Sequence, residues 1–378
     1  MIQPTYAAAQ LAADRICRLL ASHPIGHGLS QQHTAAVPDG STLAALIDAA
    51  FWTSLRREEG YIPRISLAFV APADVRDAVC FANSLSLEPK DLTKLAPAVE
   101  RTGLHFGVWP QEDELRVWGI TRKLPAFSLV LEVVLPGLLV VKLSPSEEFG
   151  KFINLAVLQG DEIKIIDRQA EVSPAYPPLL ASLFRSESLS PTGAPVNVLL
   201  QLAVSIRTHG RGGMLLVVPT GSVAWTESIL QPLTYSVVPA FSGLADLIRK
   251  DSGGKPSRRW EDALARAVDE IAGLTAVDGA TLITEDYELL AFGAKIIRRK
   301  GSPQVAQVIV TEPIEGGSPH IAEPAQFGGT RHLSAAQFVH DQRDAMALVA
   351  SQDGQFTVFA WSPSDEKLRA HRIDALLL

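Results

Sequence analysis

The succession of apolar periodicities predicts a mixed α/β (α+β) fold. Three observations carry it. Helix-spaced and strand-like segments mix over the first hundred residues, six short strand-like runs crowd residues 103–168, and helices alternate with apolar strand runs from 195 onward. The chain has 378 residues, 47% hydrophobic and 20% charged, enough for two domains or three small ones, each with its own core.

The first helix is expected over residues 4–21, where Ala7, Leu11, Ala12, Ile16, Leu19 and Leu20 share a face opposite Arg15 and Arg18. Residues 22–41 read as a loop. Its histidines, His23, His27 and His33, lack the cysteine or carboxylate neighbours of a zinc site and read as solvated or capping groups. A helix over 42–57, a strand over 64–70 and helices over 73–84 and 89–101 complete a helix-rich α/β region, 1–102.

Strands then follow at 104–109, 115–120, 127–134, 138–143, 153–158 and 163–166, joined by short turns, as an antiparallel meander or small barrel. Trp109 and Trp118 read as core packing there. With a proline- and serine-rich linker at 169–195 and a boundary near 190, this region spans 103–190.

The third region, 191–378, opens with a helix at 195–207. A buried strand at 214–219 follows the tight turn Gly212-Gly213, and its unbroken apolar run implies cover on both faces. A loop over 220–255 leads to an amphipathic helix at 257–274, capped by Ser257, with Trp260, Leu264, Ala267, Val268, Ile271 and Leu274 inward. Strands at 280–284, 288–297 and 304–311, a loop carrying Arg331, a helix at 333–339 and strands at 345–351 and 355–361 finish an α/β sandwich.

Net charge is −7 with a pI near 5.8, so neither a nucleic-acid polymer nor an anionic membrane is drawn to the chain in bulk. Cys17 and Cys80 have no metal-ligand neighbours and fit a reducing compartment. No apolar run reaches the ~20 residues that span a bilayer. The opening Met1-Ile2-Gln3-Pro4 lacks the basic and apolar regions of a signal peptide, so a cytoplasmic location is expected.

Two short motifs about fifty residues apart bear on chemistry. Asp278-Gly279-Ala280 offers a carboxylate in a turn-permissive loop, suited to a metal ion or a ribose hydroxyl. Gly329-Thr330-Arg331-His332 offers adjacent donors suited to a polyphosphate, although the same residues also read as a helix start with Thr330 as N-cap. Neither a P-loop nor a dinucleotide-binding glycine fingerprint is present.

Taken in order with Asp344-Ala345 and Ser351-Gln352-Asp353, these motifs resemble the diadenylate cyclase (DAC) domain, which joins two ATP molecules into cyclic di-AMP. The resemblance covers about residues 195–365. It implies an ATP pocket lined by Asp278, Gly279, Ala280, Thr330, Arg331, His332, Ser351 and Asp353. It also implies Mg²⁺ or Mn²⁺ held with ATP at Asp278, and a homodimer in which two sites face each other. The chain departs from the pattern at Leu333, where a second arginine is expected, at Gln352-Asp353, where two glutamates are expected, and in a long segment between the motifs carrying Pro313, Gly316, Gly317, Pro319 and Pro324.

Losing one guanidinium removes transition-state charge stabilisation, a loss on the order of 100- to 1000-fold in rate, while nucleotide binding suffers less. The chain is thus similar to a divergent, nucleotide-sensing branch labelled DACNV. The expected function is a sensor or regulatory protein binding an adenine nucleotide or cyclic dinucleotide. An active diadenylate cyclase, with Asp278 catalytic and Arg211, Arg343 or Lys295 replacing the lost cation, is the alternative. A ligand-free structural protein is the third reading.

Overall fold

The computed structural model describes residues 5–22, 35–101, 103–145, 152–167, 197–250 and 258–378. Two compact units divide the chain, Met1–Ile166 with Leu378, and Asp167–Leu377. Both are mixed α+β. The boundary expected near 190, the three loop histidines and the Ser257 cap lie outside the described residues.

In the first unit, α1 (Ala7–Ser22) and α2 (Gly40–Ser54) precede β1 (Ser66–Phe69), β2 (Val79–Ser86) and α3 (Pro89–Leu95). Six strands follow: β3 (His105–Gln111), β4 (Glu114–Thr121), β5 (Leu129–Leu135), β6 (Leu138–Leu143), β7 (Ile153–Gln159) and β8 (Glu162–Ile165). The Asp39 side chain caps α2, accepting from the Thr42 N–H at 2.7 Å. Leu43, Leu46, Ile47 and Ala50 recur at helical spacing and are buried. They pack with Ala9 and Ile16 of α1 against Leu67, Phe106, Leu131 and Val141 of the sheet.

All eight strands form one sheet in the order β2-β4-β3-β1-β5-β6-β7-β8. This differs from a closed meander or barrel, and it crosses the division expected at residue 102. Strand β1 is buried along its whole length and slots between β3, parallel to it, and β5, antiparallel to it. A helix was expected over 73–84, but a short 3₁₀ turn and the edge strand β2 occupy it. Strand β2 has no buried residue and pairs with β4 alone, so burial imposes no two-residue alternation that would mark it as a strand. Trp118 is core, its indole N–H donating to the Val70 carbonyl at 2.9 Å, and Trp109 leans on Phe69 with ring centres 4.8 Å apart.

The second unit begins with α4 (Val198–Thr208), β9 (Gly213–Val218), β10 (Tyr235–Phe241), α5 (Gly243–Lys250) and α6 (Arg258–Leu274). It continues with β11 (Ala280–Thr284), β12 (Leu289–Ala294), β13 (Val308–Thr311), β14 (His320–Ala322), α7 (Pro324–Phe327) and α8 (Thr330–Asp341). The last strands are β15 (Met346–Ala350), β16 (Phe356–Ser362) and β17 (Lys367–Arg372). Where a loop was expected over 220–255, β10 and α5 form. Pro239 is tolerated because β10 is an edge strand and the residue falls in the irregular stretch between Ser236 and Phe241.

The nine strands run β10-β12-β11-β9-β15-β16-β17-β13-β14. Strand β9 is buried on both faces, as its apolar run predicts. Leu215 and Val217 meet α4 and α6, through Leu202, Leu264 and Val268, while Met214, Leu216 and Val218 meet α8 through Ala335, Phe338 and Val339. The result is a three-layer sandwich. Among the described residues, no helix is long and apolar enough to cross a membrane.

Candidate functional site

Strand polarity assembles one end of the second sheet. β9 and β11 are parallel, Leu215 aligning with Thr281, so the loops before Gly213 and before Ala280 emerge together. β15 runs antiparallel and ends there, Ala350 opposite Gly213. The DGA loop and the Ser351–Gln355 hairpin therefore flank Gly212-Gly213 on adjacent strands. With strands ~4.8 Å apart, Gly279 and Ala350 lie about 10 Å from each other.

Glycines let these loops approach. Gly279 has φ +110°, and a Cβ there would sit 2.5 Å from the Gly293 carbonyl carbon. Gly213 packs against Thr275, where a Cβ would lie 2.6 Å from Oγ1. That buried hydroxyl donates to the Ala272 carbonyl at 2.7 Å and is 3.1 Å from His209 Nε2.

Helix α8 meets this end with its first turn. It starts at Thr330 rather than 333, so Arg331 and His332 are helical and not in a loop. The N-cap is Gly329, without a side-chain cap, and not Thr330, which is exposed in the first turn. Successive helical residues point about 100° apart, and the pair divides accordingly. His332 turns inward at 2% exposure, edge-on to Phe359 with ring centres 6.1 Å apart. Burial lowers its pKa, with Arg372 and Arg331 adding to the effect and Asp353 opposing it, so the ring is neutral. It packs beneath the first turn, where burial disfavours its charged form.

Arg331 turns outward over Gly212. A Cβ on Gly212, whose φ is +69°, would lie 2.8 Å from Arg331 Nη1 and 3.2 Å from the Ala350 carbonyl oxygen. Among the described residues, Arg331 has no carboxylate partner.

The hairpin after β15 is locally closed. Ser351 Oγ donates to Asp353 Oδ1, the Gln355 N–H returns to Ser351 Oγ at 3.1 Å, and Arg207 Nε holds the Gly354 carbonyl at 3.0 Å. The Ser351 hydrogen bond leads the causes that hold the Asp353 carboxyl below its ordinary pKa. Asp278, in contrast, is exposed and has no hydrogen-bond or ion-pair partner among the described residues.

Of the substitute cations, Arg211 precedes Gly212 and Lys295 follows Ala294, the register partner of Ala280; both are exposed at this end. Arg343 lies at the opposite end, its guanidinium 4.0 Å above the Trp361 ring. Sequence reasoning missed Tyr235, whose ring stacks on Phe292 at 4.9 Å and covers Gly293 beside the DGA loop. Its run had been assigned to a loop, so the stacking carried no readable signal.

The end thus presents one unengaged carboxylate, the three cations Arg331, Arg211 and Lys295, and an uncapped helix start. That suits a polyphosphate anion. No group of three or more His, Cys, Asp or Glu side chains gathers among the described residues. A divalent ion here would be held by Asp278 together with phosphate oxygens of a ligand, which is a normal arrangement for Mg²⁺.

The first unit carries a different polar feature. His105 is 5% exposed, with Nδ1 2.7 Å from Ser66 Oγ on the neighbouring strand. Burial is the leading cause that pushes its pKa down to about 4.

Residues 32–122 match the family model described as "Probable sensor domain DACNV". The match covers about a quarter of the chain and lies in the first unit, spanning α2 to β4. This segment is similar to a DACNV-type sensor domain. The expectation had attached that label to the C-terminal module, through motifs at 278–353, which the match does not reach. No curated protein matches the chain.

Proposed function

We propose that this is a sensor protein whose second unit binds an adenine nucleotide or cyclic dinucleotide. The observation that carries the reading is the Arg331 guanidinium, held over Gly212 without a carboxylate partner at the sheet end that also presents Asp278. Arg331 would grip phosphate oxygens, with Thr330 and the first amides of α8 beside it. Asp278 would hold Mg²⁺ or Mn²⁺ against the same phosphates, and Gly279-Ala280 would let the ligand approach the backbone. Resemblance of 32–122 to a sensor domain supports a regulatory role for the whole chain.

A second reading, turnover of two ATP into cyclic di-AMP, draws support from Arg211 and Lys295. Both are exposed at the same sheet end. In that reaction a ribose 3′-oxygen attacks the α-phosphorus of the second ATP as pyrophosphate leaves. Asp278 would take the hydroxyl proton, and two copies of the chain would bring their sites face to face.

One experiment separates these readings. Full-length protein is titrated with ATP and with cyclic di-AMP, each with Mg²⁺, by calorimetry, and the ATP mixture is analysed by mass spectrometry. Binding that Arg331→Ala weakens by roughly ten- to a hundredfold, without product, supports the sensor. Cyclic di-AMP that disappears in Asp278→Asn supports the cyclase. No binding by wild type refutes both.

A further inference from the structure

We infer that the opposite end of the second sheet holds a separate site for a small organic anion with an apolar body. Two cavities meet there at His340. One, of about 730 Å³, is bounded by the 299–303 segment and the end of α8; the other, of about 270 Å³, lies between β13, β14 and β17. The larger volume is in the range of small-molecule sites, and the smaller falls just below it.

Their walls are fixed by buried hydrogen bonds. The Asp341 carboxylate accepts from the Arg299 N–H at 2.9 Å, from Gln337 Nε2 at 2.9 Å and from Ser302 Oγ. Gln337 in turn accepts from the Val305 N–H at 3.0 Å and donates to the Pro303 carbonyl at 3.1 Å. The rim is thereby anchored to α8 along its length, and the principal buried anion is fully engaged.

The charge left over is cationic. Arg343 sits over the Trp361 ring, and neither Arg343 nor Lys300 has a carboxylate partner among the described residues. Arg299 is neutralised by Glu227 at 2.7 Å. Asp344 remains as an exposed opposing charge. Beyond His340 the smaller cavity has Val305, Ile309, Ile321 and Leu368 in its walls, together with the exposed and oppositely charged neighbours Glu366 and Lys367. Paired cations at one end and aliphatic walls at the other complement a carboxylate, sulfonate or phosphate ester carried on an aromatic or short aliphatic body.

The probe is 8-anilinonaphthalene-1-sulfonate, an aromatic sulfonate, followed by fluorescence titration on full-length protein. Lys300→Glu with Arg343→Gln removes the charged half, and Ile321→Asp, at an exposed position on β14, removes part of the apolar half. Each variant is expected to weaken dye binding by about tenfold, with circular dichroism and Tm unchanged. Lys300→Glu alone guards against loss of the Arg343–Trp361 stack and should weaken binding several-fold. Nile red, which is neutral, should respond to Ile321→Asp and not to the charge changes. Dye affinity within twofold of wild type in both variants overturns the site. So does a charge variant that loses Nile red and the sulfonate equally.

Discussion

Gly212 offers the sharpest test of how the candidate nucleotide site is built. Its φ of +69° is a left-handed conformation, which costs an alanine roughly 1–2 kcal/mol. The added methyl would also begin 2.8 Å from Arg331 Nη1, against the 3.4 Å at which ordinary contact starts, so the guanidinium must retreat by about 0.6 Å. The nearest obstruction is the tip of a flexible side chain, and the Ala350 carbonyl oxygen at 3.2 Å need give by only a few tenths of an ångström, so the unit should fold. Gly212→Ala should therefore lower stability by about 1–2 kcal/mol. It should weaken nucleotide binding by more, because a displaced guanidinium loses a charge-assisted hydrogen bond worth about 1.5–3 kcal/mol, or ten- to a hundredfold in Kd. Calorimetric titration with ATP and Mg²⁺ measures it in four proteins: wild type, Gly212→Ala, Arg331→Ala and the double variant. If Gly212 acts by seating Arg331, its substitution costs nothing further once Arg331 is gone. Equal losses from Gly212→Ala in both backgrounds would refute the reasoning, as would undiminished binding in the single variant.

Asp278→Asn should remove the Mg²⁺ dependence of nucleotide affinity, read as the ratio of Kd with EDTA to Kd with Mg²⁺, and leave apo stability nearly unchanged because the carboxylate is exposed. Gly279→Ala should destabilise the second unit by at least ~2 kcal/mol, since its methyl would meet the Gly293 backbone at 2.5 Å and cannot push a side chain aside; scanning calorimetry reads this as a lower Tm of that unit. His105 has its pKa lowered to about 4 in the folded protein from an ordinary 6.5, so the unfolded chain binds more protons between those values. Its stabilisation of the first unit is complete above pH 6.5 and is lost as pH falls toward 4, on the order of 3 kcal/mol in all. Urea unfolding across pH 4–7 should show that slope, and His105→Phe should flatten it. His371, buried beside Thr311 with its pKa pushed to about 3, predicts the same sign for the second unit, extending to lower pH.

Much of this architecture was readable from apolar pattern. Residues 213–218 announce a strand covered on both faces, and the stripe from Trp260 to Leu274 announces a helix with one inward face, because burial leaves those spacings no alternative. The edge strands β2 and β10 were not readable. Their side chains are largely exposed, so neither the helical nor the two-residue period is enforced, and Pro239 imitates a loop. Strand pairing was equally hidden: nothing local to Ser66–Phe69 says that it will lie between β3 and β5.

The candidate site follows the same division. Asp278-Gly279 and Gly329–His332 were visible as motifs, and the structure places both at one sheet end. The contrast between Arg331 and His332 was not visible, since it depends on the helix starting at Thr330. Gly212 read as an ordinary tight turn because its function is to leave room for a side chain more than a hundred residues away.

Strands β11, β9 and β15, from which the candidate loops spring, sit mid-sheet with helices over both faces. Segments of that kind are among the last to open to solvent, so their amides should exchange with deuterium only as fast as the whole unit unfolds. The loops are consequently tethered to the slowest-exchanging part of the unit, so that the proposed ligand would find them already arranged. On the proposed function, little ordering entropy would then oppose nucleotide binding.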